Sequence, residues 1–175
     1  MEQFLAEVER RALIMAELAT RDREEALDLV QDTMAAFVSR YGNHPRDQWP
    51  PLFHRILQNR IRDWHRRRKG WSRWLVEQVR PQSGPEEDDA DHDPLQNLPD
   101  QSLQSPETAL MTEQSMERLL CALENLPLRQ QQAFLLRVWE GFDVATTAAA
   151  MGCSSGSVKT HLSRALNTLR KRLPK

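Results

Sequence analysis

One stretch of the sequence, residues 81–106, limits what the rest of the chain can build. It contains five prolines and seven acidic residues, with no lysine or arginine and almost no large apolar side chains. A segment of this composition cannot bury enough apolar surface to offset the entropy lost on ordering. The sequence therefore predicts a flexible acidic linker at 81–106, and domains at 1–80 and 107–175 that each form their own core.

Both flanking segments are predicted to be helical. Ala, Leu, Arg, Glu and Gln abound, whereas aromatic residues make up only 6% of the 175 residues, and this composition favours helices. Helices are predicted over 2–19, from the capping-box residue Asp22 onwards, from Pro50-Pro51 onwards, over about 105–123 and over 128–139. The predicted apolar face of the second helix is Leu27, Val30, Met34, Phe37 and Val38. The predicted buried stripe of the third is Phe53, Ile56, Leu57, Ile61 and Trp64. Its opposite, polar face is predicted to carry His54, Arg55, Gln58, Asn59, Arg62, Asp63 and Arg66. The predicted fold class is all-α, with two small helical domains joined by the linker.

The last 35 residues have the pattern of a helix-turn-helix. A short helix at 144–151 is followed by Gly152, where a sharp turn favours a residue without a Cβ. A longer helix, capped by Ser154 or Ser155, then places Val158, Leu162, Ala165, Leu166, Leu169 and Leu173 on one face, and Pro174 closes it. The other face carries hydroxyls and cations of the kind that contact phosphates and base edges: Ser155, Ser157, Lys159, Thr160, Ser163 and Arg164. We expect duplex DNA binding here; the alternative is a solvated basic face.

The net charge of −1 conceals two basic domains. Residues 1–80 carry 15 Lys and Arg against 12 Asp and Glu, residues 107–175 carry nine against six, and the linker carries none against seven. Within the first domain, residues 55–80 hold nine cations and two acids, interleaved with tryptophans. Aromatic rings among cations suit unpaired bases. Trp64 is expected in the core, whereas Trp49 and Trp71 could serve either in the core or as stacking residues.

Other functions find little support in the sequence. Cys121 and Cys153 have neither disulfide-framework nor metal-site spacing, so both are expected to be packed thiols. No catalytic grouping or phosphate loop is present. Asp89, Asp91, Asp93 and Asp100 match part of a calcium loop, but Pro94 stands where glycine is required. We expect no metal, no cofactor and no enzymatic activity. With no secretory signal and no run of 18 apolar residues, we also expect no membrane insertion and a cytoplasmic protein.

Taken together, three segments in order resemble bacterial RNA polymerase sigma factors of the extracytoplasmic-function group. Residues 26–34 (ALDLVQDTM) are similar to the helix of that family that binds core polymerase. Residues 56–69 (ILQNRIRDWHRRRK) are similar to the part that reads and melts the minus-ten element. Residues 123–127 (LENLP), 130–136, Glu140-Gly141 and 156–165 (GSVKTHLSRA) look like the domain that reads the minus-thirty-five element.

The resemblance implies a transcription initiation factor whose partners are core polymerase, promoter duplex and melted strand. It is also compatible with an anti-sigma factor as a partner. Polymerase binding is assigned to Asp28, Leu29, Gln31 and Asp32. Minus-ten contacts are assigned to Trp49, Asn59, Arg60, Arg62, Asp63, Arg66, Arg67, Arg68 and Lys69. Minus-thirty-five contacts are assigned to the six polar residues of the last helix. Thr146 and Thr147 depart from the family, which commonly has an acid and a large aliphatic residue there, so looser packing and altered DNA contacts are expected.

The linker length bears on how both elements could be bound at once. A flexible chain of 26 residues spans about 25–30 Å on average and at most about 85 Å, whereas two elements two helical turns apart are separated by roughly 70 Å. A third body must therefore hold the domains apart, and core polymerase is the obvious candidate. The alternative function is a polymerase-independent helix-turn-helix regulator, although no dimerisation heptads are evident. A protein-interaction module with a relic DNA-binding fold is a second alternative.

Overall fold

The computed structural model describes the backbone of residues 1–77 and 113–173, and the side chains of 1–70 and 116–173. All regular structure in these ranges is helical, which confirms the predicted fold class. The chain divides into two compact units, Met1–His92 and Asp93–Lys175. The predicted linker, the calcium-loop match, Pro174, and the side chains of Trp71 and Trp74 lie outside the described residues, so the predicted domain boundaries stay predictions.

The N-terminal unit consists of α1 (Glu2–Thr20), α2 (Arg23–Tyr41), a 3₁₀ turn (Arg46–Gln48) and α3 (Trp49–Glu77). Asp22 caps α2 as predicted, because its carboxylate accepts the backbone N–H groups of Glu24 and Glu25 at 3.0 and 3.2 Å. In a complete capping box the Glu25 side chain would accept the backbone N–H of Asp22. Here that N–H donates to Thr20 Oγ1. The Glu25 carboxylate instead accepts the ring N–H of Trp64 at 2.9 Å, which ties the start of α2 to α3.

Four aromatic rings form the centre of this unit. Phe4, Phe37, Trp49 and Phe53 lie with ring centroids between 5.6 and 6.3 Å apart. Trp49 is only 6% exposed, and its ring N–H donates to the carbonyl of His44 at 2.8 Å. The prediction that Trp49 contacts the minus-ten element is therefore wrong, because its ring is enclosed by other rings and its single donor is satisfied inside the fold.

The buried stripe of α3 is wider than predicted. Phe53, Leu57, Ile61 and Trp64 are buried as expected, but so are His54 and Gln58, which were assigned to the outer polar face. The reason is that α3 packs against both α1 and α2, so two sides of the helix are covered. The Gln58 amide accordingly reaches the sulfur of Met15 at 3.9 Å.

The buried face of α2 is rotated from the predicted one. Ala26, Leu29, Val30, Thr33 and Phe37 point inward, whereas the expected core residues Leu27 and Val38 are 37% and 46% exposed. Thr33 can be buried because its hydroxyl donates to the carbonyl of Leu29 at 2.7 Å. The small Ala26 and the polar Thr33 thus point inward, whereas the larger apolar Leu27 and Val38, which were predicted to do so, are exposed.

The C-terminal unit contains α4 (Glu113–Glu124), α5 (Leu128–Phe134) with a π-helical continuation (Leu135–Trp139), α6 (Val144–Met151) and α7 (Ser155–Arg172). Pro127 stands at the N-cap of α5, at the predicted break. The amide of Gln131 donates to the carbonyl of Leu123 at 3.0 Å, joining α5 to the end of α4. Cys153 is partly buried, but Cys121 is exposed, contrary to the expectation of two packed thiols.

Protonation of His65 should make the N-terminal unit less stable as the pH falls below 6.5. Its Nε2 lies 2.9 Å from the carbonyl of Ala19, and burial lowers the pKa of His65 below its ordinary 6.5, opposed by this hydrogen bond and aided by Lys69 and Arg68. Since the unfolded chain binds a proton that the folded chain resists, stability is full above pH 6.5 and is lost as pH falls below that value. Urea unfolding between pH 7.5 and 5 should show a shallower pH dependence for His65→Gln. Equal slopes would contradict this assignment.

Candidate nucleic-acid interface

The predicted helix-turn-helix is present, and a side chain caps the start of each of its two helices. The Asp143 carboxylate accepts the Thr146 N–H at 2.6 Å and begins α6; the pKa of Asp143 is lowered chiefly by this bond. Gly152 ends α6 with φ 65°, in the left-handed region that glycine adopts without strain. Ser154 then caps α7 by accepting the Ser157 N–H at 3.1 Å. The angle between α6 and α7 is thus fixed by local hydrogen bonds.

The two faces of α7 are divided as the sequence predicted. Val158, Ala165 and Leu169 are buried, and Leu162 packs partly against the core cluster of the unit. All six residues assigned to minus-thirty-five contacts lie on the accessible side: Ser155, Lys159 and Arg164 are exposed, and Ser157, Thr160 and Ser163 are partly exposed. The Ser157 hydroxyl lies 2.9 Å from the Ser154 hydroxyl, so it also supports the cap.

The threonine pair in α6 is accommodated in two ways. Thr147 is fully buried, and its hydroxyl donates to the carbonyl of Asp143 at 2.7 Å. Thr146 stays partly exposed and contributes its backbone N–H to the Asp143 cap. A buried hydroxyl costs little when it is hydrogen-bonded, so the fold tolerates a threonine where the family commonly has an aliphatic residue.

The outer face of α3 presents several cations held by neighbours on the same helix. Arg62 donates to Asn59 Oδ1 at 2.6 Å, Arg66 lies 3.1 Å from Asp63, and Arg68 stacks over the Trp64 ring at 5.1 Å. Arg67 and Lys69 are exposed on the same stretch. These contacts hold Arg62, Arg66 and Arg68 beside neighbours on the same helix, and a row of cations of this kind suits a backbone-tracking role.

One ion pair links the surface of α2 to the surface of α3. Arg60 Nη1 lies 3.0 Å from Asp32 Oδ2, with the two side chains 34% and 68% exposed. Asp28 and Gln31 are exposed beside Asp32 on α2. A residue assigned to polymerase binding therefore pairs with a residue assigned to the minus-ten element, and no sequence pattern predicted this contact.

Leu29 does not belong to that surface. It is 6% exposed and packs in the core, so the prediction that it contacts polymerase is wrong. Leu27, which lies one turn before Gln31, is the exposed apolar side chain on this part of α2. Ala26, Val30, Thr33 and Phe37 recur at helical spacing, and choosing them as the buried face would have identified Leu27 as exposed. The larger apolar side chains of Leu27 and Val38 favoured the other face instead.

In the part of the chain that the structure describes, no group of three or more His, Cys, Asp or Glu could hold a metal ion. None of the helices in that same part is long and apolar enough to cross a membrane.

Comparisons with known proteins give one consistent result. The family described as "Sigma-70, region 4" matches residues 116–169. The RNA polymerase sigma-E factor of Streptomyces antibioticus is 31% identical over 155 residues, which is 87% of this chain and 72% of that protein. The sigma-E factor of Streptomyces coelicolor is 30% identical, with 87% and 73% covered. The ECF RNA polymerase sigma factor BldN of Streptomyces coelicolor is 40% identical over 70 residues, which is 40% of this chain and 26% of that protein.

A solved structure shares the fold. Sigma factor RpoE of Bartonella quintana, in a complex with the anti-sigma factor NepR, has a TM-score of 0.63 and 24% sequence identity. The match covers 99% of this chain and 98% of that one.

Proposed function

The chain belongs to the extracytoplasmic-function group of RNA polymerase sigma factors, and we propose that three of its helices carry the steps of promoter recognition. As a sigma factor it binds core polymerase and directs transcription initiation at specific promoters. Sigma factors are non-enzymatic transcription factors. In the proposal, α7 reads the minus-thirty-five element, the outer face of α3 binds the minus-ten element, and the outer face of α2 binds polymerase.

The observation that carries the proposal is the division of α7 into two faces. Three buried apolar residues fix the helix to its unit, while short hydroxyls and two cations remain accessible on the opposite side. A helix of this kind fits a DNA major groove, where Lys and Arg recognise guanine and Ser or Thr contact bases or phosphates. Lys159 and Arg164 are the proposed base or phosphate contacts, and the serines and threonine position the helix.

The proposed minus-ten surface follows from the charge on α3. The exposed cations Arg66, Arg67, Arg68 and Lys69 occupy consecutive positions, so they surround the helix and can follow a strand that crosses it. Asn59, Arg60, Arg62 and Asp63 lie one to two turns earlier, where amide and guanidinium groups can contact base edges. With Trp49 in the core, base stacking from that ring is not part of the proposal.

The proposed polymerase surface combines acidic and apolar groups on α2. Asp28, Gln31 and Asp32 are exposed, and Leu27 and Val38 add apolar area to the same side of the helix. Mixed surfaces of this type are common in protein interfaces, where apolar contact supplies affinity and charge supplies specificity.

The remaining assignments complete the proposal. We place the domain boundaries at 80 and 107, with the linker spanning the two promoter elements on the polymerase. The cytoplasm is the proposed location, since core polymerase acts there. An anti-sigma partner is proposed because the Bartonella RpoE of the same fold is bound to one. The polymerase-independent regulator is not favoured, because the relatives across most of the chain are polymerase sigma factors.

Removing the acidic charges of α2 should weaken polymerase binding. We expect Asp28→Asn and Asp32→Asn each to lower the affinity for core polymerase about 2- to 5-fold, because an exposed charge pair contributes roughly 0.2–1 kcal/mol. The measurement is a titration of labelled protein with bacterial core polymerase at two salt concentrations, since the loss should shrink as salt rises.

The matched control is Glu9→Gln, which removes one exposed acid from α1. It should leave the affinity unchanged. An equal loss for Glu9→Gln, or no loss for either aspartate, would remove α2 from the proposed polymerase surface.

A further inference from the structure

The inner face of the first helix of the helix-turn-helix consists mostly of small side chains. Helix α6 is eight residues long, and its buried residues are Thr147, Ala148, Ala150 and Met151. Of these, Ala148, Ala150 and Met151 pack in a core cluster with Ala133, Leu136 and Val158. Apart from Met151, these side chains are small and offer shallow ridges, and apolar burial has no directional preference. Packing alone therefore specifies the orientation of α6 weakly.

Two arginines of the preceding helical segment hold α6 at its two ends. Arg129 Nη1 donates to the carbonyl of Met151, the last residue of α6, at 2.8 Å. Arg137 Nη1 donates to the carbonyl of Phe142, just before the Asp143 cap. Both bonds are charge-assisted and directional, and the one at the end of α6 also places a cation where the helix dipole favours it.

The spacing of the two arginines suits this role. They are eight residues apart, or about 12 Å along a helix, which is close to the length of α6. In a regular α-helix of 3.6 residues per turn they would be rotated by about 80° from each other. The π-helical turn at Leu135–Trp139 widens the helix where Arg137 stands, and so brings Arg137 back toward the side of Arg129.

We propose that Arg129 and Arg137 are positioning residues for promoter recognition, which act by setting the orientation of α6 and, through it, of α7. The inference rests on the proposed reading of the minus-thirty-five element by α7. Helix α6 contacts α7 directly, and Val158 and Leu162 of α7 belong to or pack against the same core cluster as α6. The Met151 carbonyl, which Arg129 binds, directly precedes the Gly152 turn between the two helices. A tilt of α6 therefore moves the polar face of α7 relative to the rest of the unit.

The test measures discrimination rather than affinity alone. The full chain, assembled with core polymerase, is titrated with a promoter carrying an intact or a scrambled upstream element, and the ratio of the two dissociation constants is compared among variants. We expect Arg129→Met and Arg137→Met each to lower this ratio about 3- to 10-fold, and Arg129→Lys to restore part of it, because an ammonium can still donate to the Met151 carbonyl. Arg118→Met, which removes an exposed arginine from α4, should retain the ratio of the unmodified protein.

Urea unfolding of each variant separates positioning from stability. Folded Met variants with an unchanged ratio would overturn the inference, as would an equal loss of affinity for both promoters. If a Met variant is unfolded, the ratio is measured with Arg129→Gln and Arg137→Gln, and an unchanged ratio overturns the inference in the same way. If the unmodified protein does not discriminate, the proposed role of α7 fails as well, so the two failures are distinguishable.

Discussion

Replacing Trp49 with alanine is expected to destabilise the N-terminal unit by about 3–5 kcal/mol, the usual cost of truncating a buried aromatic side chain. The ring is 6% exposed and contacts Phe4 and Phe37, so its removal leaves a cavity between three helical elements. The His44 carbonyl also loses its donor, which adds to the cost. Urea unfolding of the full chain, followed by helix content, measures the change.

Trp49→Phe is the matched control for this effect. It keeps an aromatic ring in the cluster and loses only the ring N–H and part of the volume, so the expected cost is about 1–2 kcal/mol. Binding of the folded Phe variant to a single-stranded minus-ten sequence should equal that of the unmodified protein. A stable Trp49→Ala variant with weakened strand binding would instead favour the exposed, base-stacking role that the sequence suggested.

Replacing Lys159 and Arg164 with alanine should abolish use of the minus-thirty-five element. Each bidentate base contact contributes about 1–3 kcal/mol of discrimination, so loss of both would reduce affinity for a promoter that depends on this element by one to several orders of magnitude. Fold stability should be unchanged, because both side chains are exposed and oppose the buried face of α7. Promoter binding by the reconstituted holoenzyme, with intact and scrambled upstream elements, measures the effect.

The chain provides a control of equal charge on the same helix. Arg170 and Lys171 are exposed in the last turn of α7, C-terminal to the proposed contacts, and replacing both removes the same two charges. This pair should lose affinity about equally for intact and scrambled elements, with a reduced salt dependence. If the two double variants behave alike, the contribution of Lys159 and Arg164 is general electrostatic attraction, and α7 does not read sequence through them.

The sequence was most informative where local rules decide the structure. In α7 the apolar period, the Ser154 cap and the Gly152 turn all act within a few residues, and they predicted both the helix and its accessible face. In α2 the same method chose the wrong register, because Thr33 is buried through a bond to its own helix and Ala26 is small. Hydrophobic size therefore favoured Leu27 and Val38, which are exposed.

Contacts between residues that are far apart in the chain could not be predicted from the sequence. Whether Trp49 is exposed depends on Phe4 and Phe37, which lie 45 and 12 residues away in the chain. The Asp32–Arg60 pair and the bonds of Arg129 and Arg137 to backbone carbonyls depend on how helices pack, and any residue can supply a carbonyl. Patterns of side chains thus predicted the polar surfaces of the helices. The hydrogen bonds and ion pairs that hold these surfaces in place could be seen only in the three-dimensional structure.

The most direct test of the account is transcription by reconstituted holoenzyme. The purified chain is combined with bacterial core polymerase and genomic DNA fragments of its source organism, and the 5′ ends of the transcripts are sequenced. The account predicts new start sites that share two upstream sequence elements at a fixed spacing and that are absent with core polymerase alone. No new start sites, or start sites without a shared pair of elements, would contradict it.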